Sequence, residues 1–598
     1  MCGIVGYVSS NTDAKEILLD SLKRLEYRGY DSAGVALIDG EGRLQVFKKA
    51  GSIDSLKETL PEIKAGTGIS HTRWATHGVP SDLNAHPHVD CTGKLALVHN
   101  GIVENYRALR EELEGKGHSF SSKTDSEVIA HLIEEMYSGD LLEAVKGALK
   151  RLKGSFAILV LHSDHPGEMV AARQESPLVL GKRFGKIFAA SDPTALLAYT
   201  EEFIFMDDGQ IAHLKGGNIT LYDFDLKEVK PNWQRITWSV KDAEKGGFEH
   251  FMLKEIYEQP STIHQCLQGW DEEDLSWLRP RSLTSVNIVA CGTSYHAALV
   301  GKYVIQAFSG LPTQVETASE YRYSPPTDYS SLHIFISQSG ETADTLAALR
   351  EARKRGNETL AITNVMGSTI TREAHHTIYL RAGPEIGVAA TKTFTSQIII
   401  LYLLALWMGV RRGRILSEEA GRVLSELKKM PRVVERILSR EEEVKAIAED
   451  LKGAPSMFYI GRYVNYPSAL EGALKMKEIS YIHAEGYPAG ELKHGPLALL
   501  DENLPVVAIL TSDHTYEKML SNVGEVVARN APVVAITEEG DDEVLKYTED
   551  VLYYPPVMPI LSPVPIAIYT QLLAYWTAKF RGCPIDKPRN LAKSVTVE

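Results

Sequence analysis

From residue 286 to 554 short runs of β-branched and aliphatic residues alternate with segments of helical period, and the alternation occurs twice. The first series is 286–290, 332–336, 359–363 and 377–380, closed by a helix that begins near Lys392. The second is 457–460, 506–510, 533–537 and 551–554. Strands separated by helices need crossover connections, so each series specifies a parallel α/β unit, and the second is an imperfect duplicate of the first. Residues 1 to about 222 carry a different texture. Alternating apolar runs at 33–38, 94–99, 156–161, 209–214 and 218–222, with a helical stretch at 124–136, read as a β-rich α+β layered domain. Residues 223 to about 280 are polar and read as a linker with some helix around 251–259. The expected division is 1–240, a linker at 241–280, and two α/β units at 281–430 and 431–598.

The formal net charge of −14 over 598 residues argues against nucleic acid or an anionic membrane as the main partner. The longest apolar run, 398–410, is shorter than the roughly 20 residues that span a bilayer, so a buried core helix is expected. Without a basic, apolar leader pattern at the start, the protein is expected to be cytoplasmic. Five cysteines at 2, 91, 266, 291 and 583 show no paired metal-ligand spacing; reduced thiols are expected, with no disulfide, no structural zinc and no cofactor.

Four groups of residues carry chemistry. Cys2 stands behind Met1 at the head of a short apolar run; removal of Met1 would give one residue both a thiol nucleophile and an α-amine base, although an incidental buried thiol has the same spelling. CGTSY at 291–295 and SQSGET at 337–342 follow two strands of the first unit, where open parallel sheets bind ligands. Ser337, Ser339 and Thr342 offer hydroxyls and Gly340 admits close backbone approach, which suits a phosphate or merely caps a helix. The matching TSDHT at 511–515 carries Asp513, which repels phosphate. In the second unit Lys475, Lys477 and Glu478, then Glu491, Lys493 and His494, form a set able to move protons during sugar isomerisation, or an ordinary solvated ion-pair face. Lys593, in a nearly uncharged tail, is either a Schiff-base amine or a surface residue.

CGIVGY at 2–7, SHTRWATHG at 70–78, HNGIVEN at 99–105, KTDSEVIAHL at 123–132, EIGVAATKTF at 385–394, the segment 473–499 and PRNLAKSVTVE at the end occur in one order. In that order they resemble the family of isomerising glutamine:fructose-6-phosphate amidotransferases over the whole chain. The resemblance implies an N-terminal-nucleophile glutaminase, an α/β/β/α sandwich, followed by two sugar-isomerase (SIS) units of flavodoxin-like topology. By it, Cys2 attacks the glutamine carboxamide, Asn100 and Gly101 form the oxyanion hole, Arg73 holds the α-carboxylate and Asp125 the α-ammonium. Arg28, Thr76, His77 and Gly78 line the same pocket. Thr293, Ser294, Ser337, Gln338, Ser339 and Thr342 bind fructose 6-phosphate, with Val388 and Ala592 touching sugar. His494, reaching from the neighbouring subunit of a homodimer, opens the ring; Lys593 forms the Schiff base, Glu478 carries the proton between C1 and C2, and Lys475 assists. Trp74 gates an ammonia channel. Family members often have serine where this chain has Ala390. The activity so implied is conversion of fructose 6-phosphate and L-glutamine to glucosamine 6-phosphate and L-glutamate. An amidotransferase for another phosphosugar and a non-catalytic sugar-phosphate sensor are the alternatives.

Overall fold

The strand Gly3–Val8 lies inside an eight-stranded antiparallel sheet, between Ala65–Arg73 and Lys186–Ala190. The computed structural model describes residues 2–26, 29, 31–74, 79–236, 242, 244–325 and 330–596. Side chains alternate along this strand: Val5 and Tyr7 pack with helix Ala14–Arg24, while Ile4 and Val8 face a second, seven-stranded antiparallel sheet. Between them, a Cβ on Gly6 would lie 2.6 Å from Leu159 Cδ1, so only glycine lets the two sheets approach here. The second sheet is built around Leu95–Val103, Gly154–His162 and Glu168–Gln174. Its far face, with Leu97 and Ile158, packs on helices Glu127–Met136 and Leu141–Leu149. Apolar alternation on both sheets thus produces the expected α/β/β/α layering.

Each later unit is a five-stranded parallel sheet. The first runs Thr313–Thr317, Val286–Ala290, Leu332–Ser337, Thr359–Thr363, His376–Tyr379. The second runs His483–Pro488, Ser456–Gly461, Val506–Ile509, Val533–Glu538, Val551–Tyr554. Both have the flavodoxin-like order 2-1-3-4-5, whose reversal between strands 1 and 3 opens a ligand crevice at the carboxyl ends. The sequence reading lacks the second strand of each unit. Both are edge strands, and Thr313–Thr317 alternates buried and more exposed residues, so neither carries the apolar run of a central strand.

One apolar core spans both parallel units and takes in Met252 and Ile256 of helix Phe251–Tyr257 and Ile263 and Cys266 of helix Gln259–Gln268. Helix Lys392–Arg411 is long and apolar enough to cross a membrane by length and composition, but 94% of its most apolar window is buried in this core. After helix Pro563–Phe580 the tail runs back over the molecule. Asp586 accepts from the amides of Phe251 and Met252, both at 2.9 Å, Lys587 pairs with Glu26 at 2.7 Å, and the Ala343 amide donates to Val595 O at 3.0 Å. The tail therefore touches the first domain and the first parallel unit at once.

Candidate functional sites

At the edge of the first domain Cys2 Sγ accepts from the Trp74 amide at 3.2 Å, at the end of strand Ala65–Arg73. Burial pushes its thiol pKa up, and the Trp74 hydrogen bond and the Arg73 charge pull the other way. Asn100 Nδ2 donates to Cys2 O at 2.8 Å. Its Oδ1 lies 3.1 Å from His71 Nε2, which is also 3.1 Å from His99 O. Two carbonyl-type oxygens on one ring nitrogen require that nitrogen to carry the proton, so His71 fixes which way the Asn100 amide points. Burial drives the His71 pKa down to about 3, and its ring stacks on His86 with centroids 4.1 Å apart. Gly101 has φ +135°, and a Cβ there would sit 2.0 Å from Ser155 O, so no other residue fits beside Asn100. Arg73 is buried, its charge favoured by Cys2 and Asp125, and Asp125 Oδ2 accepts from the Val103 amide at 2.9 Å. Cys2, Arg73, Trp74, Asn100, Gly101 and Asp125 thus share one neighbourhood: a thiol, amide donors, a cation and an anion, suited to a zwitterionic amide substrate. Arg28, Thr76, His77 and Gly78 lie outside the described residues.

In the first parallel unit Ser337 Oγ meets Thr342 Oγ1 at 3.0 Å and accepts from the Gly340 amide at 3.1 Å; Ser339 Oγ accepts from the Glu341 amide. Gly340 has φ +68°, and a Cβ there would lie 2.1 Å from Ser368 Oγ, so the loop's shape depends on glycine. This loop and Thr293 stand at the carboxyl ends of strands 3 and 1, the two sides of the topological reversal. Ser294 accepts from Gln397 Nε2 at 3.0 Å. In the duplicate unit Asp513 instead accepts from the Thr515 amide and hydroxyl, closing its loop with an internal carboxylate.

The two parallel units meet at the acid-base cluster. Lys475 on helix Tyr466–Ser480 is fully buried, bonds Thr293 Oγ1 at 3.0 Å, and pairs with Glu478 at 2.5 Å and Glu471 at 3.4 Å. Glu471 also takes Thr293 Oγ1 at 3.0 Å and His296 Nδ1 at 2.7 Å. Lys475 is therefore no solvated helix-face residue, whereas Lys477 is exposed. Lys593 is likewise neither flexible nor at the surface. Its side chain is 5% exposed, and Nζ binds Glu385 Oε2 at 2.6 Å and Gly387 O at 2.8 Å. Burial raises the Glu385 pKa, but the Lys593 charge and hydrogen bond outweigh it and hold the carboxyl below its ordinary value. Glu385 in turn helps raise the Lys475 pKa against burial, so the two lysines share one electrostatic environment. Next to them Glu255 accepts from the amides of Ile386 and Gly387, and burial together with the Glu385 charge lifts its pKa to about 7. Val388 and Ala592 flank this group in sequence; the Val388 amide donates to Asp586 O at 3.2 Å. His494 is exposed, and among the described residues no hydrogen bond or ion pair joins it to Lys593 or Glu478.

A narrow cavity of about 50 Å³ separates the first domain from this cluster, with Ser191, Asp192 and Phe205 on one wall and Gln338, Ser339 and Lys593 on the other. Ser191 Oγ accepts from the Ile4 amide at 3.0 Å, two residues after Cys2. The sequence reading missed His71, Glu255, Glu385 and Glu471. Glu471 has a signal, one helical turn before Lys475; the others are brought in by tertiary packing alone.

The SIS domain family matches residues 282–407 and 450–579, and the Glutamine amidotransferase domain family matches residues 71–198. Enzymes named glutamine--fructose-6-phosphate aminotransferase (isomerizing) from Thermus thermophilus and Methanosarcina acetivorans are each 50% identical, over all of this chain and all of theirs. The one from Aquifex aeolicus is 51% identical with the same coverage. Among solved structures, the C-terminal domain of glucosamine-fructose-6-phosphate aminotransferase from Francisella tularensis superposes with a TM-score of 0.55 at 38% identity, covering 58% of this chain and 100% of that one. With two parallel units of SIS order behind an antiparallel two-sheet sandwich, and such identity from end to end, the chain belongs to the glutamine--fructose-6-phosphate aminotransferase (isomerizing) family.

Proposed function

We propose that the protein converts fructose 6-phosphate and L-glutamine to glucosamine 6-phosphate and L-glutamate, in two half-reactions joined by ammonia. The observation that carries this reading is Lys593, buried against Glu385 beside Gln338 and Ser339, in a cavity whose opposite wall holds the strand of Cys2. In the first half, the Cys2 thiolate attacks the carboxamide carbon, Asn100 Nδ2 and the Gly101 amide stabilise the oxyanion, and ammonia leaves. Water then releases glutamate from the thioester. Arg73 and Asp125 take the α-carboxylate and α-ammonium, with Arg28, Thr76, His77 and Gly78 completing the pocket. In the second half, Thr293, Ser294, Ser337, Gln338, Ser339 and Thr342 bind the phosphosugar, and Val388 and Ala592 touch it. Lys593 forms an imine at C2, ammonia displaces it, and Glu478 moves the proton from C1 to C2 with Lys475 stabilising its charge. The water consumed with glutamine equals the water released at the imine, so the sum is amide-nitrogen transfer plus isomerisation.

His494 opens the sugar ring from a neighbouring subunit, a reading favoured by its exposure far from the other acid-base groups. Mixing inactive His494→Ala and Lys593→Ala proteins then restores activity in hybrid dimers; no recovery, with a monomeric mass in solution, contradicts it. The division at 240, 280 and 430 is supported by the change of sheet type, and limited proteolysis tests it. A cytoplasmic site of action fits a protein whose one long apolar helix is buried. The decisive assay supplies purified protein with glutamine and fructose 6-phosphate. Glutamate and glucosamine 6-phosphate appear together if the reading is right; glutamate alone points to another phosphosugar, and neither product removes the proposal.

A further inference from the structure

Away from both sites, on the outer face of the glutaminase domain, four side chains from three segments converge. Cys91 lies in the turn before strand Leu95–Val103, His118 just beyond helix Tyr106–Gly115, and His131 with Glu134 on one face of helix Glu127–Met136. Cys91 Sγ is 3.6 Å from His118 Nδ1 and 3.5 Å from His131 Nδ1. Glu134 Oε2 is 3.0 Å from His118 Nδ1 and 3.2 Å from His131 Nδ1, and it also accepts from the Cys91 amide at 3.0 Å. All four potential ligand atoms fall within 4.8 Å of one another. A tetrahedral zinc ion with Zn–S of about 2.3 Å and Zn–N and Zn–O of about 2.1 Å separates S from N by about 3.6 Å and N from O by about 3.4 Å. The sulfur–nitrogen spacings already match, and the nitrogen–oxygen spacings need to open by only a few tenths of an ångström.

The groups behind these atoms are an independent indication. His118 Nε2 faces Glu135 Oε2 at 3.2 Å, and His131 Nε2 faces Glu127 Oε1 at 3.7 Å. Glu127 is itself fixed by the amides of Ser121 and Ser122, each at 2.7 Å. A carboxylate behind the distal nitrogen of a ligating imidazole orients the ring and raises its basicity. The Ser119 amide points at Cys91 Sγ from 3.4 Å, a donor that favours thiolate, and the exposed cysteine leaves a path for an ion. We propose that Cys91, His118, His131 and Glu134 form a structural zinc site. One thiolate, two imidazoles and one carboxylate suit Zn²⁺, and four protein ligands leave no open position for chemistry. The ion ties the turn at 90–93 and the loop at 116–118 to the helix that begins two residues after Asp125. It therefore clamps the helical layer behind the glutamine pocket.

Full-length protein carrying Cys2→Ala, to silence the other reactive thiol, is stripped with a chelator and titrated with Co²⁺. The expected result is one Co²⁺ per chain, with the intense visible bands of a tetrahedral centre and a thiolate-to-cobalt charge-transfer band. Zn²⁺ in equal amount displaces it and raises the melting temperature. Cys91→Ser loses the charge-transfer band, and Glu135→Gln binds about 10–100-fold more weakly. If Cys91→Ser does not fold, His118→Ala gives the same reading through loss of tetrahedral binding. Absence of the thiolate band, or its persistence in Cys91→Ser, overturns the proposal and leaves a hydrogen-bonded cluster of protonated histidines.

Discussion

His71 shows how much of the glutaminase chemistry depends on a residue that touches no substrate. Its single N–H is shared by His99 O and Asn100 Oδ1, which turns the Asn100 NH₂ toward Cys2. His71→Ala frees that amide to rotate. Glutamine hydrolysis should lose about tenfold in kcat with KM little changed, a part of the ~10²–10³ that loss of an oxyanion donor itself costs; an unchanged kcat removes the positioning role. The same ring sets a pH dependence. His71, His86, His88 and His99 are all buried, and burial holds each below the ordinary imidazole pKa, His71 at about 3. Unfolded, each titrates near pH ~6.5, so below that pH the unfolded chain binds more protons than the native one. Stability from this cluster is complete above pH ~6.5 and declines as pH falls toward 3, by up to about 1.4 kcal/mol per pH unit for each histidine. Denaturant unfolding above pH ~5, where carboxylates stay ionised, should show that slope, and His71→Gln should reduce it.

At the scale of elements, the two parallel units share one strand order and differ in what fills the loops at its reversal. The SQSGET loop keeps its hydroxyls at the crevice because Gly340 takes a left-handed turn against Ser368. In the duplicate loop Asp513 occupies its own amide and hydroxyl donors. Gly340→Ala adds the left-handed penalty of about 1–2 kcal/mol per residue to a direct overlap with Ser368. The expected outcome is a sharply raised KM for fructose 6-phosphate, while glutamine hydrolysis without sugar is unaltered; equal loss of both would mean that the loop serves folding rather than binding. The tail is the complementary element. Its backbone reaches the first amide of helix Ala343–Lys354 through Val595 O, and its Lys593 lies in the same cavity as Gln338 and Ser339. Sugar loop and Schiff-base lysine are thereby held as one unit, although more than 200 residues separate them in the chain.

For the whole molecule, the coupling lies between the two chemistries. The Trp74 amide holds the Cys2 sulfur, so one residue combines a backbone role at the thiol with a side chain free to serve as the gate. Trp74→Ala keeps that amide. Glutamate production should therefore continue while amino-sugar synthesis falls, read as a glutamate-to-product ratio rising well above one; proportional losses would remove the gating role. The order of strands, the layered sandwich and the pairing of Cys2 with Asn100 and Arg73 were all legible in the chain, because alternation of period two, helical crossovers and contiguous motifs are local properties. The polar edge strands were not, since hydrogen bonding to one neighbour suffices to hold them without an apolar run.

The sequence by itself determined the fold class, the thiol and its partners, and the family's chemistry, all of which rest on residues close together in the chain or spaced by a regular period. Only the tertiary structure decided that Lys593 is buried against Glu385, that Lys475 is pinned between Glu471 and Glu478, and that Cys91 meets His118, His131 and Glu134. Those pairings join segments tens to hundreds of residues apart. Their cost in desolvation is met by packing that no local pattern encodes, so they exist only once the layers have closed.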